Sequence, residues 1–91
     1  MEKEKNGNGI IKEFNIDDKL IFEGDYLNGK RNGKGKEYNR YGNLEFEGEY
    51  KNGKRNGKGK EYNEYDVFIF EGEYFWMDKE MAKVKNMKII T

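Results

Sequence analysis

The chain has 91 residues, 34% apolar and 40% charged, which argues against a layered globular core and limits it to one domain. Its 18 Lys and Arg balance 18 Asp and Glu, so no global field steers it toward nucleic acid or membrane, and no nucleic-acid partner is expected. Cys, His, Ser, Pro and Gln are absent and the sole Thr is Thr91; without nucleophile, imidazole or Cys/His metal site, neither an enzyme nor a cofactor or metal is expected.

Such polarity alone would read as disorder, but seven Tyr, six Phe and one Trp recur at fixed spacing, the mark of a repeat architecture. Residues 1–8 form a polar segment, too polar for a secretory signal, and no apolar run approaches membrane-spanning length, so a cytosolic chain without a transmembrane segment is expected. The repeat array spans residues 9–74. Gly9–Asn15 (GIIKEFN) is a drifted copy of the closing segment GKGKEYN, and Phe22–Asn39 superposes on Phe46–Asn63 with 16 of 18 positions identical after a shift of 24 residues. Phe70–Tyr74 (FEGEY) opens a further copy.

Within a unit, Leu44, Phe46, Gly48 and Tyr50 alternate with Glu45, Glu47 and Glu49, the period of a strand with one apolar and one charged face. Lys51–Gly57 follows, and its two Asn-Gly pairs supply the positive-φ residues of a hairpin turn before a return strand begins at Lys58. The expected fold is therefore all-β, an antiparallel meander of tandem hairpins in an open twisted sheet. Six strands are expected near 10–16, 19–26, 34–39, 44–50, 58–63 and 67–74, with complete hairpins over 20–39 and 44–63. A central glycine in each forward strand (Gly24, Gly48, Gly72) leaves room for a neighbouring ring, giving an aromatic–glycine ladder with Phe22, Tyr26, Tyr38, Phe46, Tyr50, Tyr62, Phe70 and Tyr74. Two readings of these rings stand: structural packing, or an exposed aromatic groove for a ligand.

The basic turns carry Lys30, Arg31, Lys34 and Lys36 in one repeat and Lys54, Arg55, Lys58 and Lys60 in the next. In register they would form a cationic edge for phosphoinositide headgroups or another polyanion, at about 1 kcal/mol per basic residue. The opposing reading pairs them with Glu23, Asp25, Glu37, Glu47, Glu49 and Glu61 on adjacent strands. A phosphate loop is not encoded, since GKRNGKGK lacks the Ser/Thr and the following helix.

The tail, residues 75–91, leaves the repeat. Its amino acids allow a short helix over Asp78–Lys88, with Met77, Met81 and Val84 on one face. Back-translated and read one frame over, the same tail permits LDGQRNGKGKEY, which aligns without a gap to Leu27–Tyr38. The tail is therefore expected to be an out-of-frame fourth repeat, which the nucleotide sequence tests.

Phe46-Glu47-Gly48-Glu49-Tyr50-Lys51-Asn52-Gly53-Lys54 and the Gly-rich return strand resemble the MORN repeat (membrane occupation and recognition nexus), with Phe and Tyr in place of its usual first Tyr and its Trp. The resemblance covers about residues 9–74. It implies an elongated, twisted sheet of hairpins that serves as a scaffold or protein-interaction module, sometimes beside membrane or cytoskeleton, and not an enzyme. Expected partners are another protein, or a second copy engaged through edge strands near Ile10–Ile16 and Val67–Tyr74. The alternatives are a peripheral binder of anionic phospholipid and a frameshifted remnant of a longer array.

Overall fold

Alternating side chains along LEFEGEYK, with no proline to remove a ladder donor, make a strand, and the Asn-Gly pair that follows turns it back. The computed structural model describes residues 7–77 and 80–85. Its strands are β1 (Gly9–Phe14), β2 (Leu20–Leu27), β3 (Lys30–Tyr38), β4 (Leu44–Lys51), β5 (Lys54–Tyr62), β6 (Phe68–Met77) and β7 (Glu80–Lys85). They form one open sheet in chain order, each strand antiparallel to its sequence neighbours. The all-β meander expected from the repeat is the architecture observed, with seven strands in place of six.

Only the first Asn-Gly pair of each repeat makes a turn. Asn28 and Gly29 have φ of 53° and 82°, and Asn52 and Gly53 have 52° and 87°, the two consecutive positive values of a type I′ hairpin that matches strand twist. The second pair lies inside the return strand, so β3 and β5 begin at Lys30 and Lys54, ahead of the expected starts at 34 and 58. A two-residue turn already closes the hairpin, and the surplus residues enter a bulge where Gly33 and Gly57 take φ of 114° and 102°. Forward-strand carboxylates satisfy the bulge: the Lys34 amide donates to Asp25 Oδ2 at 3.1 Å and the Lys58 amide to Glu49 Oε1 at 2.9 Å.

At the other end of the strands, the loops opened by Asn15, Asn39 and Asn63 share one device. Each Asn Oδ1 accepts the amides two and four residues on, at 2.8–3.1 Å.

The tail differs from expectation. Glu80–Lys85 is a strand paired with β6, not part of a helix; the rest of the expected helix, residues 78–79 and 86–88, lies outside the described residues. A short isolated helix is marginal in water, whereas the open edge of β6 offers a row of unpaired backbone groups to any extended segment.

Candidate functional site

Antiparallel register sets the same repeat positions beside one another across the whole sheet. Ile11, Gly24, Gly35, Gly48, Gly59, Gly72 and Lys85 stand in one row, one from each strand. On one face the aromatic rings lie over this glycine row. A Cβ at Gly35 would sit 2.6 Å from the Phe22 ring and 3.0 Å from Tyr50; at Gly59 it would sit 2.6 Å from Phe46 and 2.9 Å from Tyr74. The rings follow one another edge to face, Tyr26–Phe22–Tyr50–Phe46–Tyr74–Phe70, with centroids 5.2–6.1 Å apart. This single file is the core: Phe22, Phe46, Tyr50 and Tyr74 are its buried members.

A polar clamp lies over each aromatic pair, and each clamp spans three strands. Glu37 on β3 accepts both Nε and Nη2 of Arg55 on β5, at 3.0 Å each, and the hydroxyl of Tyr50 on the β4 strand between them. The guanidinium so held lies 4.1 Å from the centroid of the Phe46 ring. Glu13, Tyr26, Arg31 and Phe22 repeat the arrangement one unit earlier, with Arg31 donating to Glu13 at 2.8 and 2.9 Å. Because β3 supplies Arg31 to one clamp and Glu37 to the next, consecutive repeats are stapled together.

The tail completes the third clamp with different residues. Lys83 pairs with Tyr74 across β6 and β7, as Arg55 pairs with Tyr50, and its Nζ reaches Glu61 at 2.9 Å and lies 4.8 Å from the Phe70 centroid. Tyr74 donates to the same Glu61. In the preceding repeat the Gly53 amide of the turn donates to the Arg31 carbonyl at 2.8 Å; here the Trp76 indole N–H reaches the Arg55 carbonyl at 3.0 Å instead.

The opposite face is unlike the first. It holds a groove of about 680 Å³ floored by the backbone of the glycine row. One wall is the row Lys12, Glu23, Lys36, Glu47, Lys60, Glu71, in which every cross-strand neighbour has the opposite sign. The other wall carries Asp25, Lys34, Glu49 and Lys58. Among the described residues the ion pairs within 4.0 Å involve Arg31, Arg55 and Lys83, none of the groove lysines.

A MORN-repeat family model matches residues 22–40 and 46–64, each match covering one hairpin from the Phe of its forward strand through the turn and return strand to the start of its Asn loop. The chain carries two tandem MORN repeats. No curated protein and no solved structure matches it at a significant level.

Within the MORN array, the residues singled out from sequence separate. Phe22, Tyr26, Phe46, Tyr50, Phe70 and Tyr74 form the ladder, but Tyr38 and Tyr62 do not; they flank Glu45 on the groove side, because two residues past Lys36 and Lys60 the alternation turns them to that face. Gly24, Gly48 and Gly72 meet the return strand closely, and Gly35 and Gly59, which sequence reasoning passed over, seat the rings. The eight basic residues do not make one edge: Arg31 and Arg55 belong to the clamps, Lys34, Lys36, Lys58 and Lys60 to the groove, and Lys30 and Lys54 to the turns. Glu37 and Glu61, expected only as ion-pair partners on adjacent strands, and Glu13, which sequence reasoning does not single out, are the clamp carboxylates; their 24-residue spacing is a readable signal.

The clamps set a pH window for the MORN sheet. The hydrogen bond from Arg31 lowers the Glu13 carboxyl below its ordinary 4.5. Burial pushes Glu37 and Glu61 up, but the hydrogen bonds from Arg55 and Tyr50, and from Tyr74 and Lys83, outweigh it and leave both lowered. Burial and the bonded carboxylates raise Tyr50 and Tyr74 above their ordinary 10.0. Lowered carboxyls contribute stability that is complete above the unfolded value of 4.5 and lost as pH falls through the folded values; raised phenols contribute stability complete below 10.0 and lost as pH rises. Thermal melts across pH should therefore show a plateau between these values with a fall on either side, and Glu37→Gln should flatten the acid limb.

Proposed function

We propose that the chain is a non-catalytic protein-binding module whose working surface is the groove face. The observation that carries this reading is the division of labour between faces. On the ladder face the charged and phenolic groups are consumed by the clamps, whereas among the described residues the groove lysines stand free of close ion pairs, beside an apolar strip that includes Tyr38, Tyr62 and Phe68. A cytosolic setting suits a Cys-free chain of this kind. A photo-reactive phenylalanine analogue at Phe68 or Tyr38, introduced in the cells that make the protein, should give discrete adducts after irradiation, while the same probe at the turn residue Asn52 should not. Adducts equally frequent at all three positions, or at none, overturn the reading.

A second reading, docking on an anionic membrane, draws on the turn end of the sheet. Lys30, Lys51 and Lys54 gather there with half-exposed Leu27, and the Lys54 ammonium lies 4.4 Å from the Trp76 ring. The loop end instead carries Asp17, Asp18, Glu64 and Asp66 against Lys19 and Arg40, an acidic excess. Co-sedimentation with phosphatidylserine vesicles is the check: binding at low salt that Lys51→Glu with Lys54→Glu removes supports it, and absence of binding at low salt sinks it.

A further inference from the structure

The groove face is complementary to itself. In strand order its first wall reads Lys12, Glu23, Lys36, Glu47, Lys60, Glu71, so the sign alternates from plus at β1 to minus at β6. Read from the other end, the same row has the opposite sign at every place. Beside it, toward the loop end, the shifted register sets Phe14 against Leu20, Tyr38 against Leu44 and Tyr62 against Phe68, a second row that is apolar at each place. Phe14 and Phe68 are more than half exposed, at 54% and 52%.

We propose that a second copy of the chain docks on this face, related by a two-fold axis parallel to the strands and passing between β3 and β4. Such an axis reverses strand order and keeps position along the strand. It therefore lays β1 over β6 of the second copy, β2 over β5 and β3 over β4. Lys12 then faces Glu71, Glu23 faces Lys60 and Lys36 faces Glu47, and the two-fold repeats each pair. In the apolar row Phe14 meets Phe68, Leu20 meets Tyr62 and Tyr38 meets Leu44. The other face-to-face two-fold, perpendicular to the strands, lays every strand over its own copy and sets like charge on like.

Packed sheets lie about 10 Å apart, a gap that long Lys and Glu side chains bridge from both sides. The lysines are available for this, since the described residues of their own sheet give them acidic neighbours but no close ion pair. The interaction rests on the binding-surface reading above and gives that surface its partner. It differs from pairing through edge strands, which leaves both faces open.

Sedimentation equilibrium of the whole chain tests it, through salt and through charge reversal. The wild type should be dimeric at about 0.01 M salt, and its dissociation constant should rise at least about 10-fold at about 1 M, where the screening length has shrunk from about 30 Å to about 3 Å. Lys36→Glu with Lys60→Glu should be monomeric, and so should Glu23→Lys with Glu47→Lys. Mixed together, these two variants should form a one-to-one heterodimer, because every facing pair is again of opposite sign. Should circular dichroism show a reversed variant unfolded, Lys36→Gln with Lys60→Gln replaces it and should weaken the dimer at least about 10-fold. A wild type that stays monomeric at low salt overturns the proposal while leaving the photo-crosslinking test of the surface intact. A dimer indifferent to salt and to both reversals also overturns it, and points to edge strands.

Discussion

Phe46→Ala should cost about 3–5 kcal/mol of unfolding free energy, measured from urea transitions followed by circular dichroism. That is a large share of the roughly 5–15 kcal/mol by which small domains are stable, so the variant is expected to be largely unfolded at 37 °C. The size of the effect follows from a sheet without a second layer. Phe46 is fully buried with no opposing helix or sheet among the described residues: its cover is Tyr50 and Tyr74 at 5.6 and 5.2 Å, the glycine backbone beneath it and the Arg55 guanidinium above. Removing the ring opens a cavity to water and frees the guanidinium that lay on it. Gly59→Ala attacks the same contact from the other side. Its φ is not in the left-handed region, so the expected loss of about 1–3 kcal/mol is steric, from a methyl placed 2.6 Å from the ring. Tyr38→Ala, outside the ladder, should cost about 1 kcal/mol or less. Equal losses at Phe46 and Tyr38 would contradict a ladder core.

Glu37→Ala should cost about 2–4 kcal/mol, more than Glu13→Ala, by the same urea measurement. Glu37 receives the fork of Arg55 and the Tyr50 hydroxyl, and lies 3.9 Å from Nη1 of Arg31 as well, so its loss strands groups on three strands at once. Its side chain is 20% exposed, which keeps the cost below that of stripping one partner from a fully buried pair. Arg55→Met keeps much of the apolar cover on Phe46 and should cost less. A double-mutant cycle between Glu37 and Arg55 should show coupling of about 1–2 kcal/mol; no coupling would mean that the clamp is packing alone.

These two sites also mark how far the sequence was legible. Phe46 was recognisable as a ladder ring because period two and period 24 agree on it. Glu37 was not, because the sequence offers Glu37 and Lys36 to a neighbouring strand on equal terms. Which of them turns toward the rings depends on the bulge and the register, both fixed across strands. The turn was misplaced for the same reason: Asn28-Gly29 and Asn32-Gly33 have the same chemistry, and only closure of the ladder against Tyr26 selects the first.

The tail shows the reverse case. Its amino acids carry a helical period, yet Lys83 and Trp76 enter the positions of an arginine and of a turn amide once β6 presents its open edge. By itself the sequence determined the strand period, the hairpin count of the two complete repeats, the all-β class and the two MORN repeats, because those are local and repeated properties. Only the tertiary structure decided which charges became clamps and which became a groove. A side chain's face is set by strand pairing, and a single bulge shifts that pairing where no local pattern records it.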